Sequence, residues 1–171
     1  MLTKSKKISI AFLKFLLFTV CILLFGSSVI DLSIKTAYPF IVLALLVASA
    51  VFSKLSHCAF AGFICGAFVD SITSGTYCFN TITLMLLAVA ACLFSDNVFN
   101  KNLKATITLC FICTFVYYLC YWLLFIRPAI STTANPQYIL QYAIPSSLYT
   151  TVFVIPFYFI YKYWHRICNE K

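Results

Sequence analysis

Apolar runs long enough to cross a bilayer follow one another along this chain with little between them, at roughly 9–29, 37–53, 57–73, 77–95, 105–126 and 139–161. A spanning helix needs about 20 such residues. Six of them use up nearly all of the 171 residues and leave no room for a folded soluble domain. With 63% hydrophobic and 9% charged residues, the chain has more apolar surface than a water-facing domain can cover, so its solvent is lipid. The expected fold is an all-α integral membrane protein. It forms a single transmembrane domain over 1–171, a compact bundle of about six helices.

Charge placement sets the expected sidedness. The formal charge of +8 would point to nucleic acid in a soluble protein. Here the basic residues are spread through short connectors, where anionic headgroups and topology account for them and no nucleic acid is expected. With the N-terminus inside, six spans put Lys4, Lys6, Lys7, Lys54, Lys101, Lys104, Lys162, Arg166 and Lys171 on the cytoplasmic side and only Lys35 and Arg127 outside. That bias obeys the positive-inside rule and places both termini in the cytoplasm. Lys14, one turn into the first span, is expected to snorkel to the inner headgroups. The basic start and Gly26-Ser27-Ser28 after the first run have the layout of a secretory signal, but no small-x-small cleavage site stands out and a retained helix is expected. Trp122, with Tyr117, Tyr118 and Tyr121, and Trp164, with Tyr161 and Tyr163, fall at opposite membrane boundaries as an aromatic belt.

Within the third span, Cys58, Gly62, Gly66 and Asp70 recur every fourth residue and share one helix face. Glycines at that spacing let another backbone approach closely, either as packing within the bundle or as docking of a partner helix. Ala44 and Ala48 make a weaker instance. Asp70 is the only acidic residue inside a span, and a carboxylate there needs water, a partner or a helix end. One reading is a headgroup-level carboxylate capping the turn through Ser71 and Gly75; the other is a structural or partner-binding role on the glycine face. His57 and His165 lie at the cytoplasmic boundary without metal-ligand spacing and read as solvated residues. Cys110 and Cys113 match C-x-x-C, but in an apolar interior they read as packing, and none of the nine cysteines reads as a bridge. Pro145 and Pro156 interrupt the last span. Ser146, Ser147, Thr150 and Thr151 stand where they can bond freed carbonyls, so a bent or locally opened helix is expected.

The order Gly62-x-x-x-Gly66-x-x-x-Asp70, then Ser74-Gly75 and Asn80, in a short multi-span chain, resembles the bacterial rod shape-determining protein MreD family. The similarity is clearest over 61–91 and returns at Ile144-Pro145 and Pro156. The family commonly has glycine where Cys78 stands and often asparagine where Thr150 stands, which bears on close packing after span three and on a polar contact in span six. The resemblance implies a non-enzymatic subunit of the cell-elongation machinery in a bacterial plasma membrane. Such a subunit binds the bitopic protein MreC and so connects actin-like MreB filaments with peptidoglycan synthases, a RodA-type glycosyltransferase and a class B penicillin-binding protein. Gly62, Gly66, Asp70, Gly75, Asn80 and Pro145 would then serve helix packing or partner docking, and no cofactor is implied.

The main rival is a vitamin-binding substrate subunit of an energy-coupling factor transporter, a class whose general architecture the MreD family is thought to share. Such subunits usually carry an Ala-x-x-x-Ala-like surface on the first helix, whereas Ala11 is the lone alanine in a Phe- and Leu-rich span. A membrane enzyme needs polar groups that meet at a reacting atom, and Asp70 has no evident acid, base or nucleophile beside it in the sequence.

Overall fold

The computed structural model describes residue 20 and residues 39–73, 77–97, 102–126 and 139–169. All of span one but residue 20, and parts of the connectors, with Lys14, Ser74, Gly75 and Arg127, lie outside the described residues. Every described element is helical: α1 (Ile41–Ala50), α2 (Leu55–Ile72), α3 (Phe79–Asn97), α4 (Leu103–Tyr121) and α5 (Ile144–Asn169). A π-helical turn, Trp122–Ile126, extends α4, and another, Ile139–Ala143, leads into α5.

Side-chain pairings fix how these helices run. Gly62 lies against Met85 and Gly66 against Thr81, so α2 and α3 form an antiparallel hairpin. The hydroxyl of Tyr117 bonds Asn80, which brings the end of α4 to the start of α3. At the same end the Phe40 amide bonds Thr150, joining the starts of α1 and α5. At the opposite end Phe52 packs against Tyr158 and His165. Lys54, Lys104, Lys162 and Arg166, at the start of α2, the start of α4 and the end of α5, therefore gather at that second end.

Three helical stretches, Leu55–Ile72, Leu103–Ile126 and Gln141–Ile167, are long and apolar enough to cross a membrane. Their outward sides carry large apolar residues, among them Phe60, Phe63, Leu124, Leu148, Val152 and Phe159. A soluble monomer rarely exposes so much contiguous apolar surface, and lipid is the solvent that suits it. The chain is thus a membrane protein.

One of the predicted spans is much shorter as a helix than as an apolar run. The run 37–53 contains only ten α-helical residues, about 15 Å at 1.5 Å per residue, half of a hydrocarbon core. The reason lies in the packing: all ten residues of α1 are buried, and α1 touches each of the other four helices. It is apolar on every side because it is the centre of the bundle, not because lipid surrounds it. α3, at 19 residues, is as long as its apolar run 77–95, with its apolar part over Phe79–Ser95.

The aromatic belt also needs correction. Tyr117, Tyr161 and Trp164 are buried and face inward, where their rings pack with Phe40, Phe79 and one another; Tyr163 is the exposed member at the basic end. His165 is half-buried against Phe52 rather than solvated, while His57 is exposed. In the last span, the backbone widens to a π turn immediately before α5 and Pro145, which suits a residue without an N–H. At Pro156 the helix continues unbroken. The hydroxyls of Ser147, Thr150 and Thr151 bond the carbonyls of Ile144, Ser146 and Ser147, not the carbonyl that Pro156 frees.

Candidate functional site

The site starts from a deficiency at the head of α3. A helix leaves its first amides without carbonyl partners, and an N-cap oxygen normally takes those of its second and third residues. The residue in the cap position is Cys78, whose side chain supplies no oxygen. Asp70, in the last turns of α2, takes over that role from across the hairpin. Its Oδ1 accepts from the Asn80 amide at 3.2 Å and from Asn80 Nδ2 at 2.9 Å. Its Oδ2 accepts from the Thr81 amide at 2.8 Å and from Thr81 Oγ1 at 2.6 Å. A negative charge at a helix N-terminus is favoured by the helix dipole as well as by the hydrogen bonds.

The expectation that Asp70 caps its own turn through Ser71 and Gly75 is therefore replaced. Ser71 Oγ donates to the Ala67 carbonyl instead, and the capped amides belong to the next helix. From Asn80, 1% exposed, the network continues inward. Its Nδ2 also reaches Thr73 Oγ1 at 3.3 Å, and its Oδ1 accepts from the Tyr117 hydroxyl at 2.6 Å. One carboxylate and one amide thus tie α2, α3 and α4 together at a single end.

The glycines bring the backbones close enough for these bonds. A Cβ at Gly62 would lie 2.8 Å from both the Leu84 carbonyl oxygen and Met85 Cα. At Gly66 it would collide with Thr81 Cα and lie 2.7 Å from the Asn80 carbonyl oxygen. Cys58 and Cys65 complete this buried side of α2. The small-residue face is filled from within the chain by α3, so it offers no free groove to a partner helix.

Thr150 makes the polar contact in α5 that its place in the resemblance brought into question. Its Oγ1 accepts from the Phe40 amide at 2.9 Å and donates to the Ser146 carbonyl at 2.7 Å. It ties α5 to Phe40, the residue that precedes α1, rather than to an amide of that helix's first turn. Thr150→Val should keep the shape but leave a partly buried amide unpaired, a loss of about 1 kcal/mol, read as a lower midpoint in thermal unfolding in mild detergent.

Cys78 and Tyr77 have φ of 54° and 39°. Left-handed backbone costs a side-chain-bearing residue roughly 1–2 kcal/mol. Cys78→Gly, the residue the resemblance expects, should therefore raise the unfolding midpoint by an amount equivalent to about 1 kcal/mol; a lowered midpoint would show that the thiol contributes packing instead.

Of the residues marked by sequence, Gly62, Gly66, Asp70 and Asn80 meet in this one arrangement, Pro145 stands apart at the start of α5, and Gly75 lies outside the described residues. Sequence reasoning missed Thr81, Tyr117 and Phe40. Tyr117 reads in sequence as an interfacial ring, and no spacing signal marks a hydroxyl that must find Asn80 from another helix. Cys110 and Cys113 are buried free thiols, and Cys110 Sγ lies 3.9 Å from Thr114 Oγ1. Among the described residues no group of three or more His, Cys, Asp or Glu could hold a metal ion.

Fold and site together define a membrane protein, helical throughout its described elements, whose helix hairpin is locked by a carboxylate acting as cap. No family model, curated protein or solved structure matches the chain.

Proposed function

We propose that this chain is a non-enzymatic subunit of a bacterial cell-elongation complex, of the kind the MreD resemblance implies, with six spans in the plasma membrane and both termini in the cytoplasm. In this role it binds a bitopic MreC-type protein and helps couple MreB-type filaments to peptidoglycan synthesis by a RodA-type glycosyltransferase and a class B penicillin-binding protein.

One observation carries this reading. The residues on which the resemblance rests, Gly62, Gly66, Asp70 and Asn80, make a single interhelical lock. Their order and spacing answer one structural requirement, a close antiparallel hairpin with a cross-capped helix. The lock is a scaffold feature: its groups are engaged with one another, as suits a protein that acts by holding others. Since α3 occupies the glycine face, a partner helix would dock on a lipid-facing side of the bundle.

The transport alternative needs a ligand chamber. A chamber of that kind typically takes up roughly 300–1,000 Å3. The test is affinity purification of the tagged chain from its native membrane in mild detergent, with mass spectrometry of retained proteins and small molecules. The expected result is a single-pass coiled-coil protein together with cell-wall synthases. A paired ATPase, a coupling membrane subunit and a bound vitamin would replace this function with transport.

A further inference from the structure

The end of the bundle opposite the Asp70 lock carries a cationic surface built on an aromatic base. Phe52, just past α1, packs between Tyr158 and His165 of α5, with ring centroids 5.5 and 5.4 Å away. This contact brings Lys54, two residues on and exposed, to the last turns of α5. There Lys162 Nζ lies 5.5 Å from the centroid of the Tyr158 ring, a cation–π contact that holds the ammonium against a buried aromatic side chain. Arg166 follows one turn later and is exposed. Lys162 and Arg166 are four residues apart on one helix face, where like charges repel.

Asp70 is the one carboxylate among the described side chains, and it belongs to the opposite end. Next to the cations in the chain stand exposed apolar groups, Tyr163 at 65% and Leu55 at 44%. Repelling cations, an anchored ammonium and flanking apolar side chains together suit an amphiphile with an anionic head. We propose that Lys54, Lys162 and Arg166 form a binding surface for the phosphate headgroup of an anionic phospholipid, with Leu55 and Tyr163 against its acyl chains. This inference is independent of the cell-elongation reading, since it rests on residues that the resemblance does not use.

The test is native mass spectrometry of the full chain released from nanodiscs containing equal amounts of phosphatidylglycerol and phosphatidylcholine. Phosphatidylglycerol should be retained preferentially by the unaltered protein and by the charge-conserving variant Lys54→Arg/Lys162→Arg/Arg166→Lys. Each neutralised charge should weaken retention about fivefold, so that Lys54→Gln/Lys162→Gln/Arg166→Gln loses about a hundredfold. Should the triple glutamine variant fail to fold, Arg166→Gln alone, at an exposed position in the last turn, is measured for its fivefold loss. Equal retention of the two lipids, or undiminished retention by the glutamine variants, would overturn the proposal. So would displacement of the lipid by millimolar inorganic phosphate, which would make free phosphate the ligand.

Discussion

Gly66→Ala is expected to destabilise the protein by about 3 kcal/mol, although alanine is the better helix former. At a free helical position the exchange would gain about 1 kcal/mol of helix propensity. Here the added methyl meets Thr81 Cα, the Asn80 carbonyl oxygen at 2.7 Å and the Thr81 amide at 2.8 Å. All three are backbone atoms that move only if α3 moves. Overpacking typically costs 1–3 kcal/mol even where side chains can yield, so the upper end applies. Separating the helices would also lengthen the four bonds to Asp70. Gly62→Ala should cost less, about 1–2 kcal/mol, because its contacts are less severe and include the Ala88 side chain at 3.0 Å. Equilibrium unfolding in bicelles would measure both, and a Gly66→Ala protein as stable as the parent would contradict the described hairpin. The sign of the change is the informative result, since helix propensity and interhelical contact push in opposite directions.

Asp70→Asn should be comparably damaging, at about 3 kcal/mol, while changing the side-chain volume hardly at all. The carboxylate presents acceptors on both oxygens, each taking two donors from Asn80 or Thr81. An amide keeps one acceptor and turns a donor toward the other pair, leaving N–H facing N–H. Hydrogen bonds to a charged group contribute roughly 1.5–3 kcal/mol each, and the loss of negative charge at the head of α3 adds a few tenths more. The damage is predicted to spread unevenly: hydrogen exchange should accelerate at the Asn80 and Thr81 amides well before it does in α5. Unchanged protection of those two amides in Asp70→Asn would rule out the cross-hairpin cap. Tyr117→Phe provides a graded comparison, removing the donor to Asn80 Oδ1 at a cost of about 1–2 kcal/mol.

Much of this arrangement is legible in the sequence alone, and the boundary between what is and is not is physical. Gly62, Gly66 and Asp70 fall on one helix face by their spacing, and a carboxylate in an apolar run demands a partner wherever the chain goes. Those are properties of a single helix in a single solvent. That the glycine face meets α3, and that Asn80 and Thr81 supply the partners, depends on which helices pair, and in lipid every apolar face is nearly equivalent until shapes are compared. The cap at Cys78 is a further case: the missing oxygen can be noted in sequence, but its replacement comes from a residue eight positions upstream in another helix.

Hydropathy likewise has a limit at α1. A lipid-facing span and a helix enclosed by its own bundle are both apolar all round, so hydropathy does not tell that the helix within 37–53 is wholly buried. Tyr117 and Trp164 mislead for a related reason, because an aromatic residue near a membrane boundary reads as a belt whether it points outward or inward. The sequence by itself determined the solvent, the helical class and the residues that needed close contact, because hydropathy, helical period and the cost of a charge in lipid act locally. Only the tertiary structure decided which backbone fills the glycine face, which amides Asp70 caps and which helix lies at the centre, because those choices are made by the fit between surfaces distant in the chain.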